Sequence, residues 1–374
     1  MVSLGDWRWP FQCSGCGSDF PQDGFPFRCP HCDSIFEFNQ YPNYDPQLVE
    51  KGIGIRRFRH CFPIPPDAEY ITLGEGNTPL VEIEHVGHRI YFKCEHLNPT
   101  GSFKDRGAAI LVSVMKHIGI AEAVEDSSGN AGAAFAAYAA RAGIHAKIFI
   151  PDYTSGPKRR QIEAYGAEVV PVPGPRSAAA EAVMAEVERG AIYASHAYLP
   201  HGIAGMATVA YELVEQLDRV PGTIILPVGQ GSLLLGLAQG FQALLAAAVI
   251  PKLPSLIAVQ SKACAPIWAE FHAPESGPNV SAEGETIAEG IRIMNPLRTK
   301  GVIASIRHTQ GDVVAVSEKA ILAGWEALAQ KGFYVEPTSA VVWPGLIRFW
   351  DQIQSPIVLI LTGHGLKSQH TKNA

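Results

Sequence analysis

Short apolar runs recur along this chain. Each is followed by a turn of small polar residues and then by a stretch with helical period. Strands are predicted at 90–93, 147–150, 169–172, 223–227, 256–260, 313–316 and 357–361. Helical stretches are predicted at 108–118, 131–142, 158–165, 177–188, 204–217 and 233–248. A strand that is apolar at every position has no face left for water. Alternation of such strands with helices therefore predicts parallel sheets covered on both faces, an α/β fold. Two sheets are expected, a smaller one from about residue 105 to 200 inserted into a larger one.

The 374 residues are too many for one small core and suit two domains with an appendage. Hydrophobic residues make up 47%, enough to fill both. No apolar run is long enough to cross a bilayer. The first six residues lack the basic patch and apolar block of an export signal, so a cytoplasmic location is expected. A net charge of −6 argues against a nucleic-acid face.

Among seven cysteines, four form two pairs, Cys13-x-x-Cys16 and Cys29-x-x-Cys32, twelve residues apart. Two such knuckles can set four thiolates in a tetrahedron, which predicts a structural zinc ribbon over residues 1–40. Four protein ligands leave no open position for a substrate. Two disulfides or a redox pair would use the same residues. The missing export signal, and the lack of a partner pattern for Cys61, Cys94 and Cys264, favour zinc. His31, inside the second knuckle, could replace one cysteine but reads as a bystander. Residues 41–72, with their Pro, Tyr and Arg, read as a linker wrapping onto a main body at 73–374.

Three turns at strand ends carry the candidate chemistry. The first is Asn98-Pro99-Thr100-Gly101-Ser102-Phe103-Lys104-Asp105-Arg106-Gly107, the second Asp126-Ser127-Ser128-Gly129-Asn130-Ala131-Gly132, the third Pro227-Val228-Gly229-Gln230-Gly231-Ser232. Any one of them could be an ordinary turn capping a helix. A lysine at a helix start is a poor choice for a mere surface residue, because the helix dipole there favours anions. Ligands of open α/β sheets bind beyond the carboxyl ends of the strands, where all three turns lie.

In order and approximate spacing, Ser102-Phe103-Lys104-Asp105-Arg106, Ser127-Ser128-Gly129-Asn130, the Gly229 loop and Thr362-Gly363-His364-Gly365-Leu366-Lys367 resemble the threonine-synthase branch of the pyridoxal-phosphate enzymes of fold type II. The resemblance runs from about Thr72 to Lys367. It implies two α/β lobes with the cofactor between them. Lys104 would form the Schiff base and shuttle protons. Gly229, Gln230, Gly231 and Ser232 would cradle the phosphate at a helix start. Asn130 would sit beside the phenolate oxygen, and Thr362 would meet the pyridine nitrogen. Ser127, Ser128, Gly129 and Ala131 would offer donors to the substrate carboxylate. Glu336-Pro337-Thr338-Ser339-Ala340 resembles another segment of that lining, and the resemblance implies a homodimer. His196, His201 and His364 read as polar or loop residues rather than catalysts.

The pattern departs from the family in one stretch. Threonine synthases usually carry an arginine where Ser195 to Met206 has Gly202, and often an asparagine where Leu233 stands. Lys158, Arg159 and Arg160 could grip a substrate phosphate instead, or form a solvated helix start. The expected activity is therefore a lyase or synthase acting on a small amino acid, with threonine synthesis foremost. A serine/threonine dehydratase or a cysteate-synthase-like replacement enzyme is the alternative. A non-catalytic zinc-ribbon binding protein is the reading from outside the enzymes.

Overall fold

A computed structural model describes residues 7–154, 156–273 and 284–368. Residues 1–6, the opening of the expected ribbon and the stretch read for an export signal, lie outside the described residues. The chain divides into two compact units, one of residues 1–76 and 104–205, the other of residues 77–103 and 206–374.

The first unit begins with two short antiparallel strands, β1 (Phe11–Cys13) and β2 (Phe36–Phe38), paired Phe11 to Phe38. Each cysteine knuckle closes on a residue with positive φ, Gly17 (74°) after the first and Asp33 (59°) after the second. The N–H of Gly17 returns to Cys13 O, and that of Asp33 to Cys29 O. Buried Trp9, Phe11, Phe20, Phe25 and Phe36 fill this small body. Its core also holds a side chain from far along the chain. The fully buried ring of His201 lies 4.5 to 5.5 Å, centroid to centroid, from Trp9, Phe11, Phe20 and Phe25.

The remainder of this unit holds a three-stranded parallel sheet in the order β5 (Glu122–Glu125), β6 (His145–Pro151), β7 (Glu168–Val172). Helices α1 (Lys104–His117) and α2 (Asn130–Ala142) pack on each other, while α2 and α4 (Arg176–Glu188) pack on β6. Between β6 and β7 lies α3 (Pro157–Ala164). Alanine supplies most of α2, which keeps these approaches close, and Gly143 ends that helix in the left-handed region (φ 70°). The segment before residue 76 is tied down by side chains. Ser113 Oγ on α1 accepts the Ile71 N–H at 2.8 Å, and buried Glu75 accepts from Tyr70, Thr72 and Tyr138.

The second unit is built on a six-stranded sheet. Its order is β10 (Asp312–Val316), β9 (Ser255–Ser261), β8 (Thr223–Pro227), β11 (Ile357–Ile360), β4 (His88–Lys93), β3 (Leu80–His85). Five strands run parallel, as expected from their apolar sequences, and β3 runs antiparallel at the edge. The reason is local: Val86 and Gly87, both with positive φ (50° and 73°), make a two-residue hairpin turn that reverses the chain at once. Helices α5 (Ile203–Leu217) and α6 (Ser232–Ala246) approach through small residues; a Cβ at Gly240 would stand 2.4 Å from Ala207 O. Among the described residues no helix is long and apolar enough to cross a membrane.

One buried ion pair fastens α5 to the sheet. Lys93, at the end of β4, places Nζ 2.7 Å from Glu212 Oε2, 2.8 Å from Thr78 O and 2.9 Å from Gln216 Oε1. Both charged side chains are excluded from solvent. Removing one partner would strand the other charge in the interior. Lys93→Met is expected to cost about 3–5 kcal/mol, read as a lower urea midpoint, with much of the loss recovered in Lys93→Met/Glu212→Leu.

Candidate functional site

The lysine turn is fixed by main-chain hydrogen bonds to the turn after β11. His96 N–H donates to Leu361 O (2.8 Å), Phe103 N–H to Thr362 O (3.0 Å) and His364 N–H to Gly101 O (2.9 Å). Gly101 takes φ 83°, and the buried Lys367 ammonium donates to Thr100 O at 2.7 Å. Lys104 comes next and is the first residue of α1, which begins four residues before the helix expected from residue 108. Its side chain keeps some solvent exposure, which an amine that meets an incoming aldehyde needs. Desolvation by the surrounding protein still pulls its pKa from 10.5 down to about 8, against the charge of Glu125, which acts to raise it.

The second turn leaves β5 at Glu125. Asp126 is held on three sides: Oδ1 accepts from Tyr193 Oη (2.7 Å), Oδ2 from Arg176 Nη2 (3.3 Å), and its main-chain O from Arg176 Nη1 (2.8 Å). The Ser127 N–H donates to Glu125 Oε2, and the Gly129 N–H to Ser127 Oγ. A Cβ on Gly132 would lie 1.9 Å from Ser127 O, so α2 can begin this close to the turn only with glycine there. Ser128, Gly129 and Asn130 are half-buried and Ala131 is buried. Of the expected carboxylate donors, Ser127 has its main-chain N–H already engaged within the protein.

The third turn joins β8 to α6. Gly231 adopts φ 86°, and a Cβ there would meet Val302 Cγ2 at 2.3 Å. No side chain caps α6, a 15-residue helix, so its positive end and first N–H groups are offered to an anion. The Gln230 side chain accepts the Leu297 N–H at 3.1 Å, which leaves its main chain facing the turn. Thr362 follows β11, the neighbour of β8 in the sheet, so the two turns leave adjacent strands at the same end. Its buried hydroxyl lies 3.0 Å from Ser339 Oγ, and Ser339 also accepts the Gly363 N–H at 2.8 Å.

The structure thus groups Lys104 with Glu125 and the Ser127–Asn130 turn in one unit, and Gly229–Ser232 with Thr362 in the other. Three participants escaped the sequence reading. Glu125 ends a strand that is charged at both ends, His196 was read as a plain polar residue, and Ser339 lay in a segment without an assigned role. In the first unit an amine of lowered proton affinity suits an aldehyde; in the second a glycine turn before an uncapped helix suits a phosphate, and a buried neutral hydroxyl suits a ring nitrogen. Separately, Cys13, Cys16, Cys29 and Cys32 bring their sulfurs within 4.8 Å of one another, a spacing that could hold a metal ion.

Residues 71–363 match the family model described as pyridoxal-phosphate dependent enzyme. The chain is 34% identical to a threonine synthase of Synechocystis sp. over 323 residues, covering 84% of this chain and 82% of that protein. It is 32% identical to a threonine synthase of Methanocaldococcus jannaschii over 333 residues, 86% and 82% of the two chains. A solved maize serine racemase superposes with a TM-score of 0.67 at 26% identity, covering 78% of this chain and 88% of the other. The α/β architecture is that of the pyridoxal-phosphate enzymes of fold type II. The chain belongs to the pyridoxal-phosphate dependent enzyme family.

Proposed function

We propose that this chain is a pyridoxal-phosphate-dependent lyase of the threonine synthase kind, converting O-phosphohomoserine and water to threonine and phosphate. The similarity to threonine synthases over 84–86% of the chain carries the reading. The cofactor, when bound, supplies an electron sink conjugated to the substrate's amino group. Lys104 would hold it covalently and, once displaced by substrate, move protons among the substrate carbons through Nζ. Gly229, Gln230, Gly231 and Ser232 would take its phosphate with main-chain N–H groups. Asn130 would flank the phenolate oxygen. The Thr362 hydroxyl, braced by Ser339, would meet the ring nitrogen without forcing a proton onto it. Ser128, Gly129 and Ala131 would hold the substrate carboxylate, with Ser127 contributing through its hydroxyl.

The rest of the reading joins the cysteine spacing and composition to the same resemblance. Residues 1–40 would form a ribbon with structural zinc on Cys13, Cys16, Cys29 and Cys32, joined by a linker at 41–72 to a catalytic region at 73–374. That region would consist of a smaller lobe at about 105–200 and a larger one. Two copies would assemble, in the cytoplasm. A second reading, elimination of water from serine or threonine, is favoured by one observation. Of Lys158, Arg159 and Arg160, the cations expected to grip a substrate phosphate, Arg159 is already bonded to Glu163 and Thr154 O.

The protein loaded with cofactor should be yellow, and borohydride should fix the cofactor on Lys104. Lys104→Ala is expected to remove that label and lower turnover at least about a thousandfold. Phosphate and threonine released together from O-phosphohomoserine support the synthase; ammonia from serine or threonine, with the first compound inert, supports the dehydratase. Because the neutral amine is the nucleophile, cofactor uptake by the empty protein should rise with pH through about 8. One zinc per chain by metal analysis, lost together with thermal stability in Cys29→Ser, is expected for the ribbon.

A further inference from the structure

Glu125 is buried, with 1% of its surface exposed, and its two oxygens have different partners. Oε2 accepts the Ser127 N–H, and Oε1 lies 3.1 Å from His196 Nδ1. Ser127 Oγ in turn accepts the Gly129 N–H at 3.3 Å. Gly129 precedes α2, whose start no side chain caps, so the first N–H groups of that helix are directed at an anion. An unbroken set of hydrogen bonds thus runs from His196 through Glu125 and Ser127 to the start of α2. Neighbouring Asp126 is arranged differently. It takes the Arg176 guanidinium and the Tyr193 hydroxyl, so its charge has a permanent counterion. The partner of Glu125 is instead an imidazole, a group that titrates near neutrality, and the His196 side chain is about a third exposed (32%). The charged and titratable groups around Glu125 are Asp126 from its own turn, Lys104 from α1, Arg176 from α4, and Tyr193 and His196 from the segment after α4.

The two oxygens make different demands. A main-chain N–H can only donate, so Oε2 must remain an acceptor, whereas Nδ1 donates or accepts according to the tautomer. With Nδ1–H donated to Oε1, the next proton from solvent binds Nε2, on the imidazole. The carboxylate keeps its charge, and both oxygens go on accepting. Without the imidazole, the carboxylate itself must take that proton. Burial already pushes the Glu125 pKa up to about 7, so the uptake would fall near neutrality. A neutral carboxyl accepts a hydrogen bond more weakly than a carboxylate. We propose that Glu125 and His196 are positioning residues for the turn that takes the substrate carboxylate, Glu125 fixing Ser127 and His196 receiving the proton that would otherwise discharge Glu125. The pair holds the turn in one shape as pH falls through neutrality. This inference rests on the reading of residues 127–131 as the substrate-carboxylate turn.

The test uses the full-length protein loaded with cofactor and L-threonine as the probe. Its dissociation constant is read from the change in cofactor absorbance at about pH 6 and about pH 8. Dividing each variant's constant by the parent's at the same pH removes the titration of the probe and of Lys104. His196→Ala should bind within about twofold of the parent at the higher pH and at least about threefold more weakly at the lower. Glu125→Gln, a neutral acceptor at every pH, should bind at least about threefold more weakly at both. In that background His196→Ala should add no pH dependence. A His196→Ala ratio that is the same at both pH values overturns the proposal, as does a folded Glu125→Gln protein that binds like the parent. Should Glu125→Gln fail to fold, the His196→Ala ratio decides alone. A yellow parent whose absorbance L-threonine leaves unchanged removes the reading of the turn itself, and the proposal with it. That result is distinct from a parent that responds and variants that match it.

Discussion

Three main-chain hydrogen bonds tie the segment 96–103 to Leu361–His364, on the residues that lead into Lys104. They join turns that are more than 250 positions apart in sequence yet leave neighbouring strands of one sheet. Main-chain bonds of this kind do not depend on rotamers, so they give the residue before Lys104 a rigid root. The sheet supplies the frame and the two turns supply the address. A backbone fixed in this way suits the covalent role proposed for Lys104.

A second constraint lies in the segment from Tyr193 to Gly205. On one side it receives the ribbon: Phe27 stacks edge-on against Tyr193 and Tyr198, Arg28 donates to the Tyr198 hydroxyl at 3.0 Å, and His201 enters the aromatic core. It also touches the first turn of α1, where a Cβ at Gly205 would lie 2.0 Å from Arg106 O and one at Gly202 would lie 3.1 Å from Gly107 Cα. Its Tyr193 and His196 side chains reach Asp126 and Glu125. Gly202, which the resemblance sets against an arginine, thus has a packing reason. A larger side chain at position 202 would press on α1 immediately after Lys104.

The sheets were legible because their strands are unbroken apolar runs, and 223–227 was read to the residue. The strand Glu122–Glu125 was not, since charge at both ends hides a core of two apolar residues. The edge strand Leu80–His85 alternates polar and apolar side chains and carries no continuous signal. Helices Thr299–His308 and Glu318–Gln330 also went unread. Lys104, Gly231 and Thr362 stood out because turn chemistry after a strand is local. The environment of Glu125 is not local: its side chain meets a histidine 71 positions away. No spacing rule announces such a meeting.

The imidazole of His201 sits where the cysteine-knuckle appendage and the body of the first unit share one set of rings. Burial pushes its pKa down to about 3, so it stays neutral and behaves there as one more flat apolar plug. An appendage joined through a common interior cannot be exchanged like a bead on a string. Trimming the chain to a minimal catalyst would bare greasy rings on the cut surface and leave the stub prone to clumping, unless those positions were recoloured with polar residues at the same time.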